Sequence, residues 1–164
     1  MTAPAGKVLV LAWGNAVRGD DGLGPALAAA LQRDLPPGTS VRCRHQLRPD
    51  DAELVARYEA VIFVDADRCC AEPFRFERLQ PRPSASAGAH GLTVELLLAL
   101  AEKLYGRRVP GYVLAVRGYR FDVFDASLSP RAAGNLERAL VFLVRALAER
   151  RFDAYAEQGG SDRE

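Results

Sequence analysis

The stretch Gly14-Asn15-Ala16-Val17-Arg18-Gly19-Asp20-Asp21-Gly22-Leu23-Gly24 constrains the fold of this chain more than any other. It follows a short apolar run, Val8 to Trp13, that reads as a buried β-strand. It leads into Leu23, Ala26, Leu27, Ala30 and Leu31, an apolar set at helical spacing. Strand, glycine-rich loop and helix in that order open a β–α unit. A phosphate-binding loop would offer bare backbone N–H groups at the helix start, often with a nearby lysine. Asp20 and Asp21 put negative charge there instead, which repels phosphate and suits a cation. The bland alternative is that both acids only complement the helix dipole, for about 0.3–1 kcal/mol.

The same strand–helix alternation continues. Leu35-Pro36-Pro37-Gly38-Thr39 is a turn cluster, Ser40 to His45 a strand, and Asp50 to Tyr58 a short helix. Ala60-Val61-Ile62-Phe63-Val64-Asp65-Ala66 is a second continuous apolar run, a central strand ending at Asp65. Phe74 to Leu79 reads as an edge strand and Gln80 to Ala89 as a loop. A helix from His90 to Tyr105, a strand from Gly111 to Arg117 and a last helix after Ser129-Pro130 complete the pattern. This implies an α/β fold, a three-layer sandwich with a mostly parallel, twisted sheet of about five strands flanked by helices. Residues 1–152 form one domain in this reading, and 153–164 a polar, flexible tail.

Composition narrows the function classes. The chain has 164 residues, enough for one real core. A net charge of +1 provides no long-range field towards nucleic acid or an anionic membrane. No apolar stretch approaches the roughly 20 residues that span a bilayer. The N-terminal residues lack the pattern of a secretory signal. Cys43, Cys69 and Cys70 make a poor disulfide framework and lack structural-zinc spacing, which fits a cytoplasmic location. A monomer is expected.

In a sheet of this kind the working site lies beyond the carboxyl ends of the strands. That rule selects the first loop, Asp65, and the loop before His90. Asp65 closes its apolar run at a strand end, with capping of a neighbouring loop as the alternative; Asp67 stands further into the loop. His90, opening a helix, is expected to be neutral, the form that ligates metal, with helix capping as its alternative. His45 ends a strand on the same edge and, with Asn15 and Asp20, is a supporting candidate. Two carboxylates and an imidazole make a mixed oxygen–nitrogen site suited to divalent transition ions. No Gly-x-Ser-x-Gly elbow or other serine or cysteine nucleophile is apparent.

From Lys7 to about Leu147 the chain resembles the hydrogenase maturation endopeptidases. The likeness rests on Gly14-Asn15-x-x-x-Gly19-Asp20-Asp21-Gly22-x-Gly24, Val61 to Ala66, His90 with Leu96 to Leu100, and Leu128-Ser129-Pro130. It implies a peptidase, often classed as aspartic-type, that removes the C-terminal extension from a nickel–iron hydrogenase large-subunit precursor. Its metal ligands and catalytic residues would be Asp21, Asp65 and His90. Nickel would be supplied by the precursor, and other divalent transition metals would substitute in vitro. His45-Gln46-Leu47 before Pro49 is similar to the branch serving soluble, cofactor-reducing hydrogenases, while Ser127 stands where a glycine often precedes Leu-Ser-Pro.

Two other readings compete. A receiver-like regulatory domain also holds a divalent ion between loop acids and a strand-ending aspartate. It expects its acids directly at the strand end and a lysine where Arg117 stands, and gives His90 no role. A peptidyl-tRNA-hydrolase-like enzyme shares the strand followed by Gly-Asn, but the acidic Asp20-Asp21 pair opposes a tRNA partner.

Overall fold

The computed structural model describes residues 7–83 and 92–158. The two continuous apolar runs become the central strands β1 (Val8–Trp13) and β3 (Ala60–Asp67), which lie side by side. β2 (Thr39–Arg44) pairs with the other edge of β1. β5 (Gly111–Arg117) pairs with β3, and β4 (Phe74–Arg78) closes the far edge. The order is therefore β2-β1-β3-β5-β4 in a five-stranded sheet, parallel except for β4. This is the mostly parallel α/β architecture expected from the sequence. The antiparallel edge strand sets it apart from the all-parallel sheet of a receiver-like domain.

Alternate strand residues feed two cores. Val8, Val10, Ala12, Ile62, Val64, Leu114 and Val116 face α1 (Leu23–Arg33), α4 (Pro130–Glu149) and α5 (Phe152–Gln158). Leu9, Leu11, Val61 and Phe63 face α2 (Asp51–Ala56) and α3 (Val94–Tyr105). The first crossover leaves β1 towards β2 and the second returns past β1 to β3. The carboxyl ends of β1 and β3 thus flank the topological switch point, where open α/β sheets leave a crevice.

Two expectations need correction. The helix expected from His90 begins at Val94, because Thr93 is extended and its side chain accepts the Leu96 N–H as an N-cap. His90 itself lies outside the described residues. The tail expected beyond residue 152 is helical as far as Gln158. Phe152 is buried against the Tyr112 ring, Tyr155 meets Phe142 edge-on, and Asp153 accepts the Tyr112 hydroxyl at 2.7 Å. Among the described residues no helix is long and apolar enough to cross a membrane.

The first loop is packed hard against the sheet. Gly24 sits so close to the end of β1 that a Cβ there would lie 2.3 Å from the Trp13 carbonyl oxygen. Gly14, at φ 147°, would put a Cβ 2.1 Å from the Asp21 carbonyl oxygen. Gly22 is less constrained than its spacing suggests, with Ala16 Cα the nearest atom at 3.3 Å. Gly24→Ala is therefore expected to lower stability by about 3 kcal/mol, since neither backbone can yield. Urea unfolding of the variant measures this, and an unchanged midpoint would disprove the close approach.

Candidate active site

Asp20 and Asp21 are adjacent in one 3-10 turn (Gly19–Gly22) and have opposite environments. Asp20 is 0% exposed. Its Oδ1 accepts the Ser129 N–H at 2.8 Å, and its Oδ2 accepts the Ser129 hydroxyl and the N–H groups of Tyr119 and Arg120 at 2.7–2.8 Å. Burial alone would push its carboxyl up. The bonds from Arg120, Ser129 and Tyr119 outweigh that and hold it below the usual range. With both oxygens engaged, Asp20 fastens the loop to the segment between β5 and α4 and has no ready coordination position.

Asp21 is only partly buried. Its Oδ2 accepts the Asn15 N–H at 2.8 Å, and its Oδ1 has no hydrogen-bond partner among the described residues. Asn15 shapes this loop further: its side-chain oxygen accepts the Val17 N–H and its carbonyl the Arg18 N–H. The Arg18 carbonyl in turn accepts the Asp21 N–H at 3.1 Å. Asp21 is thereby held at the end of β1 with one oxygen open.

Asp65 approaches from β3 and lies on the Val61–Phe63 face of the sheet, by the alternation of the strand. Its Oδ1 accepts the N–H of Ala66 at 2.8 Å, and no partner for its Oδ2 exists among the described residues. Burial pushes its carboxyl up to about 7; the Ala66 N–H opposes this, while the charges of Asp21 and Asp67 add to it and that of Arg75 opposes. Asp21 and Asp65 therefore sense each other across the switch point.

The remaining candidates divide clearly. Asp67 is occupied: its Oδ1 accepts the N–H groups of Cys69 and Cys70, and its Oδ2 the Arg75 guanidinium at 3.3 Å. Burial acts to raise its carboxyl, but these bonds hold it low. His45 is exposed just past the end of β2, beside the strand that leads to the loop. Among the described residues no three His, Cys, Asp or Glu side chains gather closely enough to hold a metal ion. Asp21 and Asp65 are the two brought into electrostatic contact.

Sequence reading did not find the cleft beside Asp65. About 370 Å³ of space lies between the sheet and the first turn of α3, lined by Trp13, Asp65, Arg75, Glu77, Thr93 and Glu95 among others. Arg75 bonds both Asp67 and Glu77, tying β4 to the end of β3. The available signal was the alternation in Phe74-Arg75-Phe76-Glu77, which places two charges on one face of an otherwise apolar strand.

The raised Asp65 carboxyl has a consequence for stability. A carboxyl that holds its proton more tightly when folded favours the folded state at low pH, and this advantage disappears as pH rises from about 4 to about 7. In metal-free protein above pH 7, Asp65→Asn is expected to be more stable than wild type by roughly 1–3 kcal/mol. Near pH 3 the two should unfold alike. Thermal unfolding at both pH values checks this, and equal stability at pH 8 would refute it.

Comparisons with known proteins bear on the fold. No family model matches the chain, and no curated protein matches it by sequence. Solved structures do. The NiFe hydrogenase maturation protease HycI from Thermococcus kodakarensis is 19% identical, with a TM-score of 0.68 over 88% of this chain and 93% of that one. The hydrogenase maturating endopeptidase HybD from E. coli is also 19% identical, with a TM-score of 0.67 over 88% and 94%. A hydrogenase 2 maturation peptidase from a Thaumarchaeota archaeon reaches 23% identity and a TM-score of 0.63 over 86% and 97%. At these identities the likeness is one of fold, spanning nearly the whole of each chain.

Proposed function

We propose, from a fold shared with the hydrogenase maturation proteases, that this chain is a peptidase of that kind. It removes the C-terminal extension of a nickel–iron hydrogenase large-subunit precursor after nickel insertion. The observation that carries the reading is the pairing of Asp21 and Asp65 at the switch point, each with an oxygen to spare. Burial and the nearby Asp21 charge both push the Asp65 carboxyl up, so the pair forms a half-site for a cation, and a cation supplied by the substrate would offset that repulsion. His90 is proposed as the third ligand, on the sequence resemblance. The nickel is part of the substrate, so its presence in the precursor is the check that insertion is complete.

The residues of this chain then have separate tasks. Asp21, with Asn15 behind it, and Asp65 bind and orient the nickel-bearing end of the precursor. Trp13 and the cleft between the sheet and α3 receive the adjoining peptide. Nickel held there by Asp21 and Asp65 would supply Lewis-acid polarisation of the scissile carbonyl. Asp65, which also lines that cleft, would stand beside the attacking water and could accept its proton. The proposed setting is a cytoplasmic monomer, with other divalent transition ions substituting for nickel in vitro.

The test incubates the purified chain with nickel-loaded and nickel-free precursor and follows the mobility shift of the large subunit. Shortening of the loaded precursor alone is the expected result. Equal processing of both would overturn the nickel check, and processing of neither would overturn the assignment as this protease.

A further inference from the structure

The described residues include one aromatic side chain that has almost no cover. Phe124 is 87% exposed, and Val17 nearby is 52% exposed. Neither sits on a loose loop. Asp125 donates its N–H to the Val17 carbonyl at 3.1 Å, and its own carbonyl accepts the Gly19 N–H at 2.8 Å. Arg18 and Asp125 form a parallel bridge, and the Asp125 side chain accepts both the N–H and the hydroxyl of Ser127. The turn bearing Phe124 is therefore stitched to the loop bearing Asp21. Asp20 adds its bonds to Tyr119, Arg120 and Ser129 on either side. A large apolar side chain held in water on a braced support incurs little further entropy loss on docking, the condition under which aromatic anchors dominate an interface.

Asp122 and Asp125 offset Arg68 and Arg120 around it, and Arg18 is the charge that specifies the partner. The Arg18 guanidinium lies 5.6 Å from the Phe124 ring centroid and has no carboxylate partner among the described residues. Arg120 and Arg68 reach Asp125 and Asp122 only at 3.8 Å, with Arg68 also stacked over Phe121. Aromatic residues and arginine are the types enriched at protein interfaces. A second copy of this chain is a poor occupant, since an isologous contact would set Arg18 against itself. The patch also adjoins the site: the Arg18 carbonyl is the one that accepts the Asp21 N–H.

We propose that Phe124, Val17 and Arg18 form the docking knob for the folded body of the precursor, which presents an apolar socket rimmed by carboxylates. This rests on the protease reading above. Docking there sets the chain end of the precursor over Asp21 and Asp65, so the knob contributes to capture of the substrate and not to the chemical step.

The test measures KM and kcat for nickel-loaded precursor with wild type and with the double variant Phe124→Ser, Arg18→Glu. Because both side chains are exposed, the unfolding midpoint should not fall. KM is expected to rise about tenfold with kcat within about twofold, and wild-type KM alone should rise with salt. If wild type does not process the precursor, the protease reading and this proposal fall together. If wild type processes it and the variant keeps its KM, only the docking knob is overturned. Loss of kcat without a change in KM would overturn it too, as would a wild-type dimer that the substitutions dissociate.

Discussion

Replacing Asp20 by alanine is expected to unfold this protein or bring it to the edge of unfolding. The substitution leaves the buried Ser129 hydroxyl and N–H, and the part-buried N–H groups of Tyr119 and Arg120, without their acceptor. At roughly 1–3 kcal/mol for each stranded donor, the loss is on the order of 5 kcal/mol, comparable to the whole stability of a small domain. Asp20→Asn offers no rescue, because its amide nitrogen would face donors. The same group sets an acid limit. Its carboxyl is held low in the folded state, so the stability it contributes is present above the ordinary carboxyl range and lost as pH falls through the folded value. Urea titration of the two variants at neutral pH measures the effect. Retention of wild-type stability would show that the turn has another fastening.

Its neighbour should behave in the opposite way. Asp21→Asn and Asp65→Asn are expected to fold normally and to lose processing of nickel-loaded precursor by at least about a hundredfold, since an amide is a weak metal ligand. His90→Ala is expected to do the same by removing the nitrogen donor. His45→Ala, exposed beyond β2, should have a milder effect and serves as the control. The measurement is the initial rate of the large-subunit mobility shift, with circular dichroism to verify folding. Normal rates for Asp21→Asn or Asp65→Asn would eliminate that carboxylate from the site. A fast His90→Ala would leave the two acids without the third ligand proposed.

The sheet was legible because its central strands are buried on both faces. Val8 to Trp13 and Ala60 to Ala66 are continuous apolar runs, and only a covered, mostly parallel sheet accommodates two of these. The carboxyl-end rule then pointed to the first loop, Asp65 and the loop before His90. What the sequence left unresolved was the choice between Asp20 and Asp21. Both are acids in one turn, and the one that turns inward is settled by donors 99 to 109 residues away. Helix α5 escaped for a related reason. Its spacing of Phe152, Tyr155 and Ala156 is too short to declare itself, and its stability comes from Tyr112, Phe142 and the edge of the sheet. The cleft was hidden because its walls come from β1, β3, β4, β5 and the start of α3, which no local window spans.

The Asp20–Ser129 contact also dictates when the molecule becomes complete during synthesis. β1 and the Asp21 loop leave the ribosome early, but the acceptor in that loop has no donors until the segment from Tyr119 to Ser129 has followed. β5, which separates β3 from the edge strand β4, also arrives late. A growing chain stopped before Ser129 thus carries both acids of the half-site without the fastening that orients one of them. The geometry that the proposed hydrolysis needs is therefore assembled only after the segment from Tyr119 to Ser129 has followed.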